Sequence, residues 1–326
     1  MKITCLGCGN AFSKKSFNQT FLLEENGKRL LIDNGRTTPE ALDNAKIDIK
    51  SITDVYISHL HGDHIGGLED MAFKRYDWVK RPRSYKEENY APRLIGDERL
   101  LQDLWDRSLR GGLESMEGFV ATLETFFEPV PVKPNKPIVW EGWTMELIQQ
   151  IHIMSGSMIM WTFGVMFSKT GHKTIYFTTD SQHCSPKQME EFYRKSDIIF
   201  QDCECSGVNF KFQEGERVYE KDEKWDKWPE DAMKATELLA MGVVPQEWKA
   251  FKFSSGVHAN YAQLAGYDSA NSVKLSSEIK EKMYLSHYQD FVLDKRDMFG
   301  NETEWEDTAK KDGFKGFIRL GDSLDI

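Results

Sequence analysis

The stretch His59-Leu60-His61-Gly62-Asp63-His64 follows an apolar run at 55–57, and it decides the fold more than any other part of the chain. Three imidazoles and a carboxylate are the ligand types that zinc and similar divalent ions take in proteins. A turn at Gly62 lets this one short segment serve two neighbouring ions. Gly66 and Gly67 fit a strand–loop–helix unit in which backbones approach closely. We call residues 59–64 the metal loop.

The metal loop resembles the signature of the metallo-β-lactamase superfamily of hydrolases. This resemblance implies three further ligands in a fixed order, a histidine, an acid and a histidine, each at the end of a strand. His152 follows the strand-like run 144–151, Asp180 follows 174–179, and His287 follows 283–286. The resemblance extends from residue 1 to about residue 290. It is weakest at 69–137 and 206–255.

The family pattern divides these ligands between two metals. It implies one ion on His59, His61 and His152, a second on Asp63, His64 and His287, and Asp180 as the bridge. The expected cofactors are two divalent ions, zinc first and manganese as the alternative. Two ions about 3.5–4 Å apart can hold a bridging hydroxide that acts as the nucleophile near neutral pH. The family also places an acid behind the metal loop, here in Asp33-Asn34-Gly35.

Local patterns agree with an α/β fold. Asn26-Gly27 between two apolar runs is a strong hairpin signal, and Gly171 sits between two further strand-like runs. Leucines at helical spacing predict a helical segment within 97–127, and further helices are predicted from Pro186 and over 229–241. Strands followed by helices, twice over, indicate an αββα sandwich with two mixed sheets face to face and helices outside.

Composition limits the class of protein. The chain has 326 residues, of which 40% are hydrophobic, and we expect a single domain over 1–326 with insertions at about 69–137 and 206–255. An apolar stretch approaching ~18 residues is missing, which predicts no membrane span. Residues 1–7 lack the apolar segment of a signal peptide. Five cysteines are an odd set that does not suggest a disulfide framework, so we expect a cytoplasmic protein.

The net charge of −10 argues against a polymeric nucleic acid as partner, because such binders neutralise many phosphates. One exception is the segment 74–93, in which basic and aromatic residues alternate. It can grip a phosphate and stack on a base, it can be a solvated insertion, or both can be true. The acidic segment 214–231 carries Trp225 and Trp228, and it is either a lid or dimer arm or a solvated decoration. The oligomeric state stays open, with a homodimer among the alternatives.

The carboxyl-terminal third of the sequence helps to choose among the reactions that the superfamily catalyses. Asp180 stands where a cysteine is common in true β-lactamases, which disfavours that activity. Residues 257–264 and 282–288 resemble the phosphodiesterase branch of the superfamily, which includes ribonuclease Z and the cyclic-nucleotide phosphodiesterases. In that branch a histidine before the last ligand helps to protonate the leaving alkoxide, and here it is His258. The candidate catalytic residues are therefore His258 and Asp63.

The size of the substrate follows from the length of one connection. Ribonuclease Z carries a long tRNA-binding arm between the lone histidine and the bridging acid, but only 27 residues separate His152 from Asp180. The chain therefore resembles more closely the phage-encoded anti-Pycsar phosphodiesterases, which destroy immune cyclic nucleotides. A small nucleotide is the expected substrate. The alternatives are a ribonuclease Z-like endonuclease, a glyoxalase-type thioesterase, and a protein that sequesters a nucleotide without cleaving it.

Overall fold

The computed structural model describes residues 1–76, 91–134, 136–155, 158–181, 186–206, 208–213, 216–221, 257–267 and 275–326. The chain divides into two units. The first unit contains Met1–Ile148, Ser168–His172 and Ile318–Ile326, and the second contains Gln149–Phe167 and Lys173–Phe317. The predicted helix over 229–241, both tryptophans of the acidic segment and most of the basic segment 74–93 lie outside the described residues.

The strands are short except for two long neighbours in the middle of the chain. In chain order they are β1 (Lys2–Gly7), β2 (Thr20–Glu25), β3 (Lys28–Ile32), β4 (Asp54–Tyr56), β5 (Arg93–Asp97), β6 (Ser115–Met116), β7 (Phe119–Val120), β8 (Glu128–Val132), β9 (Ile138–Trp140), β10 (Trp143–Ser155), β11 (Met158–Ser168), β12 (Ile175–Phe177), β13 (Ile198–Asp202), β14 (Val208–Gln213), β15 (Glu216–Lys221), β16 (Met283–Ser286), β17 (Gly316–Phe317) and β18 (Ser323–Asp325).

The described helices are α1 (Thr38–Asn44), α2 (Gly62–Ile65), α3 (Leu68–Arg75), α4 (Glu98–Leu104), α5 (Arg110–Leu113), α6 (Pro186–Lys195), α7 (Tyr261–Ala265), α8 (Ser277–Lys280) and α9 (Trp305–Lys311). A π-helical turn joins α4 to α5, and 3-10 turns occupy Ile49–Ser51, Leu123–Thr125 and Asp290–Val292. The leucines at 100, 101, 104 and 109 are buried, so the helical segment predicted within 97–127 is confirmed for 98–113. In the described part of the chain, the helices are too short or too polar to cross a membrane.

The first unit contains a mixed sheet with the strand order β18-β1-β2-β3-β4-β5-β8. The hairpin between β2 and β3 turns at Asn26 and Gly27, which both have positive φ, as the sequence predicted. The strands β3, β4, β5 and β8 are parallel. Parallel strands end at the same edge of a sheet, so the residues after β3 and those after β4 meet there.

The second large sheet has the order β17-β16-β13-β12-β11-β10-β9. Its parallel strands β12, β13 and β16 lie in the second unit and are almost completely buried, as expected for parallel strands covered on both faces. Aromatic side chains fix their register: the rings of Phe177 and Phe200 stack at 4.7 Å, and Phe200 and Tyr284 at 5.7 Å. The antiparallel pairing of β11 with β12 confirms the hairpin predicted around Gly171.

Two large mixed sheets with helices confirm the predicted α/β class. The strand ends were predicted less well. β10 continues to Ser155, so His152 lies inside a strand and not after it, and β12 ends at Phe177, three residues before Asp180. The reason is that strand length is set by pairing: β10 keeps its neighbour β11 beyond the apolar run. His287 does follow β16 directly, as predicted.

Candidate metal centre

The metal loop of the first unit begins just after β4 and continues into α2. His59 is fully buried, His61 caps the amino end of α2, and Asp63 and His64 lie within that helix. The ring centroid of His59 is 4.8 Å from that of His61 and 4.1 Å from that of His64. Asp63 Oδ2 is 3.4 Å from His64 Nε2. Four potential donors are therefore gathered by one turn of chain.

Glycines let the surrounding backbone approach this loop. A Cβ atom on Gly35 would lie 1.9 Å from the carbonyl oxygen of Asp63, and one on Gly67 would lie 2.2 Å from Asn34 Oδ1. Backbone hydrogen bonds from Asn34 N to His64 O (2.8 Å) and from Gly67 N to Asn34 O (2.9 Å) join the end of β3 to α2. The close approach predicted from Gly66-Gly67 is confirmed.

The second unit gathers its own donors at the ends of parallel strands. Asp202 is the last residue of β13, Asp180 follows β12, and His287 follows β16. Asp180 Oδ1 lies 3.2 Å from His287 Nε2, and Asp180 Oδ2 lies 3.7 Å from His152 Nε2. One donor atom each from Asp180, Asp202, His258 and His287 lie within 4.8 Å of one another. The structure thus brings together the four second-unit residues that the sequence singled out, with Asp202 added.

Four of the histidines share one feature, in which Nδ1 lies close to an oxygen of the protein. The oxygens are Ser58 Oγ for His59 (3.0 Å), Asp33 Oδ2 for His64 (2.7 Å), Val257 O for His152 (2.9 Å) and Asp202 Oδ1 for His287 (3.4 Å). In three of them, His64, His152 and His287, Nε2 lies near a carboxylate of Asp63 or Asp180. Metal-ligating histidines are oriented in this way by an outer shell of carboxylates and carbonyls. The imidazole and carboxylate donors therefore fit a divalent metal in chemistry and in orientation.

Asp33 supports the metal loop from behind. Its buried carboxylate accepts hydrogen bonds from the Ser58 backbone N–H and hydroxyl, both 2.8 Å, and lies 2.7 Å from His64 Nδ1. Ser58 in turn contacts His59, so one carboxylate orients two of the loop histidines. The acid that the sequence placed behind the loop is confirmed.

Asp202 has the corresponding position in the second unit, and the sequence analysis missed it. Its Oδ2 accepts from the Ser181 backbone N–H (2.9 Å) and lies 3.0 Å from His258 Nδ1, while Oδ1 faces His287. A signal for it was present, because an acid ends the strand between those that lead to Asp180 and His287. The sequence does not say that these three strands are neighbours.

His258 precedes the helix α7, whose cap is Asn260, and 15% of its side chain is exposed. Burial alone lowers the pKa of His258, but the charges of Asp202 and Asp180 outweigh burial, so the pKa lies above its usual value. Burial likewise raises the pKa of Asp202, but His258 and His287 outweigh it and the pKa falls below its usual value. These opposite shifts favour a protonated imidazole beside an ionised carboxylate.

Three residues at these strand ends have left-handed backbone conformations that L-residues rarely adopt: Asp33 (φ 63°), Thr179 (φ 53°) and His287 (φ 61°). A β-branched residue such as Thr179 is strained there. Its hydroxyl donates a 2.7 Å hydrogen bond to the carbonyl of Thr178, which offsets part of the strain. The chain is bent sharply where it leaves the sheet toward the donors.

Comparison with solved structures defines the fold. The metallo-β-lactamase fold protein YhfI from Bacillus subtilis matches 99% of this chain and 98% of its own, with a TM-score of 0.58 and 15% identity. PqqB from Methylobacterium extorquens, solved with bound Zn²⁺, matches all of both chains with a TM-score of 0.60 and 11% identity. The fold is therefore the metallo-β-lactamase fold, as the sequence predicted.

Sequence comparison then identifies the family. The pattern of the anti-Pycsar protein Apyc1 family matches residues 1–216, and the chain belongs to that family. The anti-Pycsar protein Apyc1 of Paenibacillus xerothermodurans is 36% identical over 156 residues, which is 47% of this chain and 58% of that protein. The chain spans about three fifths of the length of the curated relatives it matches. His258 and His287 lie beyond the residues that the family pattern matches.

Proposed function

We propose that this protein is a metal-dependent phosphodiesterase that hydrolyses a small 3′,5′-cyclic nucleotide. The observation that carries the proposal is the shared arrangement of the four histidines, whose Nδ1 atoms each lie against an oxygen of the protein, as in metal-ligating histidines. Asp180, placed against His152 and His287 in the second unit, supports the same conclusion.

The proposed metal ligands are the donors of both units, and two divalent ions, zinc first, are the proposed cofactors. The ligands are His59, His61, Asp63, His64, His152, Asp180 and His287. When bound, such ions supply Lewis acidity at the phosphate and activate a water molecule. Asp33 and Asp202 hold the imidazoles in the orientation that this requires, and Asp63 is also proposed as a catalytic carboxylate.

His258 is proposed to protonate the leaving ribose oxygen. In the hydrolysis, the water oxygen forms a new bond to phosphorus while the bond from phosphorus to the ribose O3′ breaks, and O3′ takes up a proton. His258 Nδ1 is engaged by Asp202 at 3.0 Å, so Nε2 is the atom that carries the donated proton. The raised pKa of His258 keeps it protonated at higher pH than a free imidazole.

Two features favour a small substrate. Between His152 and Asp180, the described residues 158–177 form β11, β12 and their connection, so a long tRNA-binding arm has little chain from which to form. The net charge of −10 opposes a substrate with many phosphates. The family name and the resemblance to phage anti-Pycsar enzymes support an immune cyclic nucleotide as the substrate, and evasion of antiphage defence as the role.

The test compares substrates of three classes on the zinc- or manganese-loaded protein: purine and pyrimidine 3′,5′-cyclic nucleotides, a precursor tRNA at physiological salt, and a thioester. We expect ring opening of a cyclic nucleotide, with the Asp180→Asn variant as the inactive control of nearly equal size. Processing of the tRNA with cyclic nucleotides untouched would establish the ribonuclease Z-like alternative. Thioester cleavage alone would establish the glyoxalase-type alternative, and binding without turnover would establish a nucleotide-sequestering protein.

A further inference from the structure

The loop between β1 and β2 presents a phenyl ring to solvent. Phe12 is 86% exposed, which makes it the most exposed large hydrophobic side chain in the described part of the chain. Single exposed apolar residues are ordinary on protein surfaces. Phe12 differs because of the rigid loop that carries it and because of what this loop touches.

The loop is held by a dense set of hydrogen bonds centred on Asn10. Asn10 Oδ1 accepts from the Phe12 backbone N–H and from the Ser13 hydroxyl, both 3.1 Å, and the Asn10 carbonyl accepts from Asn18 Nδ2 at 3.0 Å. A Cβ on Gly9 would lie 2.4 Å from Ser13 Cβ, so the loop is also closely packed. The direction of the Phe12 backbone is therefore fixed, although its ring is exposed.

Arg36 joins this loop to the metal loop within the first unit. Its guanidinium NH2 donates a 2.8 Å hydrogen bond to the carbonyl of Ala11, the residue before Phe12. The aliphatic part of Arg36 covers α2: a Cβ on Gly66 would lie 2.3 Å from Arg36 Cγ, and one on Gly62 would lie 3.8 Å from Arg36 Cδ. Arg36 therefore contacts both Ala11, the neighbour of Phe12, and α2, the helix that carries Asp63 and His64.

The surface around Phe12 is positively charged, whereas the chain as a whole is negatively charged. Lys14, Lys15 and Arg36 are exposed around Phe12, whereas the whole protein has a net charge of −10. An aromatic face combined with cations is the combination that binds a nucleotide, because the ring stacks on a base and the cations attract phosphate. Hydrocarbon surfaces that recruit a protein partner are usually larger and more apolar.

From this arrangement we infer that Phe12 is a specificity-determining residue on which the nucleobase of the substrate stacks, with Arg36 fixing the loop against the metal loop. This inference rests on the proposed function. It assigns recognition of the base to the β1–β2 loop, and it leaves the phosphate to the metal ligands. A substrate that lacks a base would gain nothing from Phe12.

The experiment measures KM and kcat for a 3′,5′-cyclic nucleotide and for its base-free analogue, 1-deoxyribofuranose 3,5-cyclic phosphate. We expect Phe12→Ala to raise KM for the nucleotide by about 5- to 150-fold, because stacking of one base contributes about 1–3 kcal/mol and about 1.4 kcal/mol is tenfold. The values for the base-free analogue should not change. Phe12→Trp should restore or lower KM, and Phe119→Ala, the same truncation at an exposed phenyl ring of the β6–β7 hairpin, should have no effect.

If Phe12→Ala raised KM equally for the nucleotide and for the base-free analogue, the inference would be overturned, because Phe12 would then only shape the loop. An unchanged KM would also overturn it. If Phe12→Ala changed the mass of the protein in solution, Phe12 would belong to a contact between protein chains instead, and the inference would be wrong. Failure of the parent protein to open any cyclic nucleotide would refute the proposed function itself, whereas the other results leave that function standing.

Discussion

The two units assemble their proposed metal donors in different ways. In the first unit, all four lie within the six residues of the metal loop, and in the second, His152, Asp180 and His287 are spread over most of the unit. The metal loop is organised by a local turn, close glycines and the single carboxylate of Asp33. Asp180 and His287 come together because the parallel strands β12, β13 and β16 are in register, and His152 reaches them from β10 of the same sheet. A local set tolerates changes elsewhere in the fold, whereas a dispersed set depends on the packing of its sheet.

Removing a donor at the centre of its set should show the difference between the donors of the second unit and those of the metal loop most clearly. Asp180 lies against His152, His258 and His287, whereas His61 is half-buried at the start of a helix. We expect Asp180→Ala to lower activity by more than about 100-fold, beyond the usual effect of losing an outer-shell partner. Metal content, measured by emission spectroscopy, should fall further in Asp180→Ala than in His61→Ala. Equal metal content in the two variants, with similar melting temperatures, would contradict the central position of Asp180.

The second largest loss of activity is expected at His258, a proposed proton donor for which the metal loop has no counterpart. His258→Ala should lower kcat by about 10²–10⁴-fold on a cyclic nucleotide, because the leaving alkoxide then lacks its proton donor. Metal content should not change. On a nitrophenyl phosphodiester the loss should be much smaller, since that oxygen leaves without protonation. An equal loss on both substrates would indicate a structural role for His258.

The two supporting carboxylates allow a matched comparison. Asp33→Asn and Asp202→Asn each remove one charge without changing shape, and each should lower metal affinity or activity by about 10–100-fold. Asp33 contacts the proposed ligand His64 and Ser58, whereas Asp202 lies against the proposed ligand His287 and His258. Asp202→Asn should therefore lower kcat more than Asp33→Asn does, with similar effects on metal affinity. Equal effects of the two substitutions on kcat would show that the contact between Asp202 and His258 does not contribute to the reaction.

The same pair predicts a difference in pH dependence. Burial lowers the pKa of His258, and Asp202 is the strongest of the groups that raise it. In Asp202→Asn the carboxylate charge that counteracts the effect of burial is gone, so the pKa of His258 falls. The proposed donor then loses its proton at lower pH. The alkaline limb of the kcat profile should move to lower pH in Asp202→Asn and stay in place in Asp33→Asn. A shift to higher pH would contradict this assignment.

The smallest expected effect is on stability and concerns only the first unit. The amino group of Met1, Trp143 and Lys169 hold the pKa of Glu25 at about 2, below its usual 4.5. Its contribution to stability is complete above about pH 4.5 and is lost as the pH falls toward 2. Denaturant melts should show Glu25→Gln less stable than the parent by about 1–3 kcal/mol at pH 7, with the difference disappearing near pH 2. A difference that persists in acid would mean that Glu25 acts through packing.

The comparison also explains what the sequence could predict. The metal loop and the hairpin at Asn26-Gly27 depend on residues close together in the chain, so their patterns were visible. Asp33 lies 25 residues before Ser58, and it was expected only from the family resemblance. Asp202 was missed because its role depends on β13 lying between β12 and β16, which is a property of the sheet. The misplaced strand end at His152 has a similar origin, since apolar periodicity ends before the pairing of β10 does. The ligand assignment in the second unit required the family resemblance.

The left-handed residues at the strand ends have a consequence for how this protein changes under selection. Each such conformation costs about 1–3 kcal/mol, and glycine would relieve it at Asp33, Thr179 or His287. At Asp33 and His287 this relief would delete a side chain that the proposed chemistry uses. Relief of backbone strain at these two positions would therefore be accompanied by loss of activity. Thr179 is the position at which the strain can be relieved with all the proposed donors left in place, at the cost of the hydrogen bonds of its own hydroxyl.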